Sequence, residues 1–416
     1  MRAAVLAASL VSLSLGGCST FDAVASAEPG SLNASAGPSV RGDAAFRGFV
    51  EGVWPEARAR GVSRATFDNA FAGVSPDPKV IALTRRQAEF AKPIWDYVQG
   101  AVSSERIARG RAAAASWSDT LAAIERRHGV ERSVVLGVWG METNFGSFFG
   151  DNDVIRALAT LASEGYRGTF FKDELVNALV ILQQGHVSRS RMIGSWAGAM
   201  GHTQFMPSSF LQYAVDWTGD GRKDIWGSIP DALASTANYL KSFGWKPGLP
   251  WGFEVTLPAS FDFRNADRKR PLTFAQWTAL GLKRPGGRAM PAGGEAALFL
   301  PAGARGPVFL VTSNFDVIKK YNNSDAYALA VAHLGDRVTG GGALVARWPT
   351  DEPNLDGAQR NELQQRLKAL GYYDGEIDGR LGSGTRDAVR SFQLARGLTA
   401  DGFPGIEVLR QLRTAR

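Results

Sequence analysis

The segment Val134-Val-Leu-Gly-Val-Trp-Gly-Met-Glu-Thr-Asn-Phe-Gly146 holds a single acid inside an apolar run. Val135, Val138 and Glu142 fall at i, i+3 and i+7, a spacing that places all three on one helical face. Leu136, Trp139 and Met141 thicken the apolar wall, and Gly146 is placed to stop the helix. Glu142 is then a carboxyl at the end of a dry stripe. Desolvation disfavours its charged form, so its pKa is expected to rise. A carboxyl tuned in this way can give a proton to a leaving group near neutral pH. The same residues also read more simply, as a Glu at the exposed end of a buried helix.

A second segment with chemical content is Asp216-Trp-Thr-Gly-Asp-Gly-Arg-Lys-Asp224. Oxygen-bearing groups at positions 1, 3, 5, 7 and 9, with glycine at 6, have the spacing of a calcium loop. Asp216, Thr218 and Asp220 would offer side chains and Arg222 its carbonyl. Gly227 stands where the closing Glu belongs. The alternative is a polar glycine turn whose aspartates accept backbone N–H groups. No Ser-His-Asp order, cysteine nucleophile or zinc spacing competes. The four histidines, His128, His186, His202 and His333, are scattered and read as structural.

The elements that must position these groups read as mainly helical. Ser63 is expected to cap a helix through Phe71, and Thr84 one through Tyr97, with Pro76 and Pro78 as breakers. Trp54, Phe67, Phe71, Phe90, Trp95 and Trp117 are expected in the core. Further helices are expected at 153–162, 169–184, 231–243, 273–280, 314–322 and 325–334. Segments 251–257, 296–300 and 308–312 read as strands between Gly/Pro loops.

Met141-Glu-Thr-Asn-Phe-Gly146, followed by Gly198-Ala-Met-Gly-His-Thr-Gln-Phe-Met-Pro-Ser-Ser209, resembles the two signature segments of the membrane-bound lytic transglycosylase B family. The resemblance extends over about residues 46 to 335. It implies an α+β, mainly α, lysozyme-like catalytic domain with a small β region. It makes Glu142 the catalytic acid. Ser195 would orient the Glu142 carboxyl, and Gln204 would hold an N-acetyl or hydroxyl group. Tyr97, Tyr239, Tyr321 and Asn322 match sugar-groove positions, although core packing serves Tyr97 equally well. Asp231 matches a distal calcium ligand, with one extra residue in the intervening loop and Asp224 as competitor. No cofactor is implied for catalysis; a Ca2+ at this loop would be structural.

The ends of the chain read as accessory parts. Arg2 and the uncharged run to Gly17 have the layout of a secretory signal (1–17), too short to span a bilayer. Leu15-Gly-Gly-Cys18 is similar to a bacterial lipoprotein cleavage box, and Cys18 is the only cysteine. Lipid on Cys18, followed by Ser19, is expected to hold the protein in the periplasm at the inner leaflet of the outer membrane. Residues 18–42 read as a flexible tether, 43–337 as the catalytic domain and 338–354 as a linker. Residues 355–414 resemble a separate three-helix peptidoglycan-binding module. It carries Leu363, Leu367 and Leu370 at helical spacing and a turn-rich Gly371–Gly379.

The formal net charge of +7 favours acidic partners. Its scattered Lys and Arg, without a recognition motif, argue against nucleic acid and for an anionic wall polymer. Cell-wall synthesis or division proteins are candidate partners. The chemistry that the family resemblance implies is non-hydrolytic cleavage of the MurNAc-β-1,4-GlcNAc bond of peptidoglycan to 1,6-anhydro-MurNAc ends. Glu142 would serve as acid and then as base. A hydrolytic muramidase and a non-catalytic wall-binding lipoprotein are the alternatives.

Overall fold

The computed structural model describes residues 43–86 and 93–415. Cys18, the leader, the tether and Phe90 lie outside the described residues. The chain divides into two compact units. Among the described residues, one takes 43–86 together with 138–239; the other takes 93–137 together with 240–415.

The first unit is built around the helix Val154–Ser163. Nine of its ten residues are buried, which marks a helix surrounded on all sides. Asp153 caps it by accepting from Arg156 N. The helices Phe170–Gln183, Asp43–Ala59, Arg64–Phe71 and Pro78–Arg86 pack against it. Ser63 caps Arg64–Phe71 as expected, accepting from Thr66 N at 3.1 Å. Phe67 is buried, while Trp54 and Phe71 are half-buried. Thr84 does not start a helix. It lies inside Pro78–Arg86 and donates to Ile81 O at 2.7 Å. The helix starts at Pro78 because proline suits a first turn, where its missing N–H costs nothing. Asp77 accepts from Lys79 N there.

Two short strands follow, β1 (Asn152–Asp153) and β2 (Ile193–Gly194), paired antiparallel. They bring Gly150 against Gly194: a Cβ on Gly150 would lie 2.2 Å from Gly194 O. The expected loop after β2 is folded back on itself by bridges from Met200 to Gly194 and to Phe205.

The second unit holds an antiparallel sheet of β3 (Gly252–Val255), β4 (Leu272–Thr273), β5 (Glu295–Phe299) and β6 (Val308–Val311), in the order β3-β6-β5-β4. Phe253, Val255, Leu298, Leu310 and Trp277 form its core. Thr273 opens the helix Phe274–Ala279 with a capping box to Gln276. The helix Asp325–Val338 packs on Ile94–Ala101, Ser104–Ser116 and Ser313–Tyr321. It meets the start of Arg132–Thr143 at very short range. A Cβ on Gly137 would lie 2.1 Å from Val331 O, and one on Gly335 2.1 Å from Ser133 O.

The last sixty residues form three helices, Gly357–Ala369, Ser383–Ala395 and Ile406–Thr414, with their own core of Leu363, Leu367, Val389, Phe392 and Leu409. Buried Gln364 organises the turn-rich loop: it accepts from Gly379 N and donates toward Asp378, Arg380 O and Thr385. The expected α+β, mainly helical class holds.

Candidate active site

Glu142 sits in the last turn of Arg132–Thr143, half-buried, with Val135 and Val138 fully buried beneath it. The helix stops earlier than Gly146. Asn144 and Phe145 already adopt positive φ, 49° and 60°, and Gly146 follows at 78°. Asparagine tolerates that region, whereas phenylalanine seldom does. Phe145 is held there by burial and by an edge-on contact with Trp139 at 5.6 Å.

The turn after Glu142 is fastened to the second signature segment by His202. Trp139 Nε1 donates to His202 Nδ1 at 3.2 Å, and Thr143 Oγ1 donates to His202 O at 2.6 Å. Thr143 Oγ1 also accepts from Gly146 N at 3.0 Å. His202 N donates to Ile225 O, and Phe149 packs edge-on against the ring at 4.5 Å. A Cβ on Gly146 would lie 2.5 Å from His202 Cε1, so only glycine fits beside the imidazole. Burial pushes the His202 pKa down to about 4. The ring is therefore neutral at pH 7, with Nδ1 as acceptor. The sequence reading of His202 as structural is correct but incomplete. Its place inside Gly-His-Thr, in a signature segment, was the available signal.

Ser195 Oγ accepts from Ala199 N at 3.0 Å, which leaves its proton to donate. Gln204 is half-buried with φ 53°. Its Nε2 donates to Phe149 O at 3.1 Å and Gly201 O at 3.0 Å. Both amide hydrogens are thereby committed, and Oε1 is the atom suited to a ligand N–H or hydroxyl. Tyr239 is buried beside Phe205 and Tyr213, and burial raises its pKa. Glu142, Ser195, Gln204 and Tyr239 belong to the first unit. Tyr97, half-buried on Ile94–Ala101, and Tyr321 and Asn322, at the end of Ser313–Tyr321, belong to the second.

The loop from Asp216 has oxygen donors of the right kind for a hard cation, but they are not gathered. Among the described residues no group of three or more His, Cys, Asp or Glu is placed to hold a metal ion. Asp216 accepts from Gly219, Asp220 and Gly221 N. Asp220 accepts from Arg222 N and pairs with the Arg222 guanidinium at 3.3 Å. Asp231, expected as a distal ligand, is fully buried and accepts from Trp217, Thr218 and Asp224 N at 3.0–3.2 Å. Its carboxylate thus closes the loop onto the helix Ile229–Ser242. Asp224 accepts from Trp226 and Gly227 N. As it stands this is the self-capped polar turn, and no chemical step is routed through a metal.

A sequence model of the transglycosylase SLT domain matches residues 45–336. The chain belongs to that family. A peptidoglycan binding domain matches residues 356–412. Membrane-bound lytic murein transglycosylase B of Escherichia coli is 35% identical over 230 residues, 53% of this chain and 61% of that protein. The chain thus spans less than two thirds of that relative. The crystal structure of SltB3 from Pseudomonas aeruginosa in complex with NAG-anhNAM-pentapeptide superposes with a TM-score of 0.84 at 49% identity. It covers 89% of this chain and 99% of its own. The Escherichia coli lytic transglycosylase Slt35 in complex with calcium gives a TM-score of 0.59 at 28% identity, covering 71% and 93%.

The depressed His202 pKa carries a stability prediction. As pH falls below 6.5 the unfolded chain takes up a proton at His202 that the folded chain refuses until about pH 4. Stability must therefore fall through that window. His128 and His333, also lowered to about 4, add to the slope. Urea unfolding of His202→Gln between pH 7 and 4 is expected to show a flatter pH dependence than the parent. An unchanged slope would remove His202 from this account.

Proposed function

We propose that this protein is a lytic transglycosylase that cleaves the MurNAc-β-1,4-GlcNAc bond of peptidoglycan without water. The observation that carries the reading is the placement of Glu142. It is an acid at the end of a buried helix, its turn locked by Thr143 and Trp139 to the second signature segment. The likeness to SltB3, crystallised with an anhydro-sugar peptide, supports it.

The proposed sequence of events uses one carboxyl twice. Glu142 gives its proton to the bridging oxygen as the C1–O bond breaks, and the sugar's N-acetyl group stabilises the positive C1. Glu142, now a carboxylate, removes the proton from the C6 hydroxyl as O6 bonds to C1. The proton count balances and a 1,6-anhydro ring closes. Hydrolytic glycosidases generally need a second carboxyl to activate water; here the sugar's own hydroxyl takes that part. Ser195, whose hydroxyl proton is available, would donate to the Glu142 carboxyl. Gln204 would accept from the substrate through Oε1. Tyr97, Tyr239, Tyr321 and Asn322 are proposed as further sugar contacts.

Glu142→Gln should reduce release of anhydro-ended muropeptides by about a thousandfold, the order expected for loss of a proton-transfer group. Mass spectrometry of the products reads the outcome. Products heavier by one water, or parent-like turnover by the variant, would overturn the proposal.

A structural calcium at Asp216, Thr218, Asp220, Arg222 and Asp231 is proposed with it. The oxygen spacing and the calcium complex of the Escherichia coli relative support it. Binding would require Asp220 to leave Arg222. Calcium added to chelator-treated protein should raise Tm by a few degrees, and Asp216→Ala should abolish the rise. A Tm indifferent to calcium leaves the loop a self-capped turn.

Lipidation at Cys18 is proposed from the Leu15–Cys18 box, with outer-membrane attachment in the periplasm. The relative named as membrane-bound supports it. No helix among the described residues is long and apolar enough to cross a membrane. Cys18→Ala should move the protein from the membrane to the soluble fraction on cell fractionation; unchanged membrane recovery would exclude the anchor.

A further inference from the structure

The second unit contains a cavity of about 730 Å³ lined by none of the residues assigned above to catalysis or sugar contact. Its lining combines three carboxylates, Glu131, Glu254 and Asp336, two indoles, Trp245 and Trp251, and two guanidiniums, Arg284 and Arg288. Glu254 is taken up by the backbone N–H groups of Val345 and Ala346, which leaves Glu131 and Asp336. Glu131 and Asp336 are each half-buried and bonded to an indole. Trp245 Nε1 donates to Glu131 at 2.7 Å and Trp251 Nε1 to Asp336 at 3.1 Å. Gly248 N adds a donor at 3.3 Å from Glu131.

These partners are all neutral. Among the described residues neither carboxylate is in an ion pair, and neither Arg284 nor Arg288 is. Arg284 instead lies over the Phe253 ring at 4.3 Å and donates to Ala289 O at 3.0 Å. Arg284 and Arg288 act on Asp336 through space without forming an ion pair with it, which leaves room between them for a ligand that carries both charges. Burial raises the pKa of Glu131 and takes that of Asp336 to about 6. An ammonium group would offset that desolvation. The indoles supply flat apolar walls that also favour a cation.

One wall is chain that follows the catalytic domain. Gly341, Gly342 and Val345 line the cavity. Glu254 holds this strap by accepting from Val345 N at 2.8 Å and Ala346 N at 2.7 Å. A Cβ on Gly341 would lie 2.7 Å from Asp336 O, so glycine is needed where the strap passes Asp336.

We propose that this cavity binds the zwitterionic end of a wall stem peptide: a terminal amino acid with its amino and carboxyl groups both free. The ammonium meets Glu131 and Asp336, and the carboxylate meets Arg284 and Arg288. The proposal rests on the reading that the chain works on peptidoglycan, and it places a peptide subsite apart from the glycan chemistry at Glu142.

The test is isothermal titration calorimetry on the full chain carrying Glu142→Gln, which prevents turnover. The probe is N-acetyl-L-Ala-γ-D-Glu-meso-diaminopimelate, whose one free amine lies beside a free carboxyl on diaminopimelate, compared with the same peptide acetylated at that amine as well. Saturable binding of the peptide with the free amine is expected. Asp336→Asn, which keeps the shape and the indole contact, and Arg284→Gln, at the half-exposed rim, should each weaken it about tenfold, as loss of one charge-assisted contact does. Acetylation of that amine should weaken it by a similar factor. No saturable heat, equal binding of the doubly acetylated peptide, or binding untouched by both variants would overturn the proposal. Formation of anhydro ends from peptide-free glycan by Arg284→Gln in the otherwise native chain should match the parent. That assay reads the Glu142 chemistry alone, so failure of the subsite and failure of the proposed function are separable.

Discussion

The contact on which this structure most depends is the one between a neutral imidazole and the end of a helix. His202 accepts the Trp139 indole N–H on its ring and the Thr143 hydroxyl on its backbone. Those two donors flank Glu142 in sequence, three residues before and one after. The carboxyl's backbone is therefore fixed from both sides without using the carboxyl itself. The arrangement requires an uncharged ring, because a protonated His202 would turn Nδ1 from acceptor to donor and face the indole N–H with another N–H. Burial supplies that condition. Catalytic groups gain most from a supporting shell that is locked before substrate arrives.

Close backbone approach is the second constraint, and it explains why the signature segments are rich in glycine. Gly146 is pressed against the His202 ring, Gly150 against Gly194 O and Gly201 against Ile225 O. Each contact joins pieces of chain far apart in sequence, and each would be opened by a single methyl group. The same device recurs in the other unit, where Gly137 and Gly335 bring two helix backbones together. The helix that ends at Glu142 is thus set by glycine contacts at its beginning and by hydrogen bonds at its end. Helix propensity contributes little, since glycines at 137 and 140 weaken it. Tertiary contacts do the positioning.

Much of this was legible in the chain itself where local chemistry decides. Ser63 as a cap, the helix expected at 273–280 and the Val135–Val138–Glu142 face all follow from side chains acting on their own neighbours. Thr84 was misread because Pro78 looks like a breaker and is in fact a favourable first residue. The early stop of the signature helix was invisible for a different reason. Phe145 occupies a left-handed conformation that its own preferences oppose, and only the packing on Trp139 explains it. Asp231 is singled out by the family resemblance alone, and in the fold its carboxylate accepts from three backbone N–H groups. A ligand and a cap have the same sequence signature, because both are oxygens turned toward a loop.

The two carboxylates of the signature helix meet opposite local fields. Glu131 stands just before the first turn, where unsatisfied N–H groups favour negative charge but burial outweighs them and raises its pKa. It is fastened there by Trp245 and by Gly248 N. Glu142 stands in the last turn, at the end of the helix that carries the unpaired carbonyls. One short helix is therefore flanked by a glutamate fastened to an indole and a backbone N–H before its first turn, and carries in its last turn the glutamate proposed for proton transfer. The division needs no difference in residue type, since both are glutamates. It follows from which end of the helix each one occupies and from what the rest of the chain packs around it.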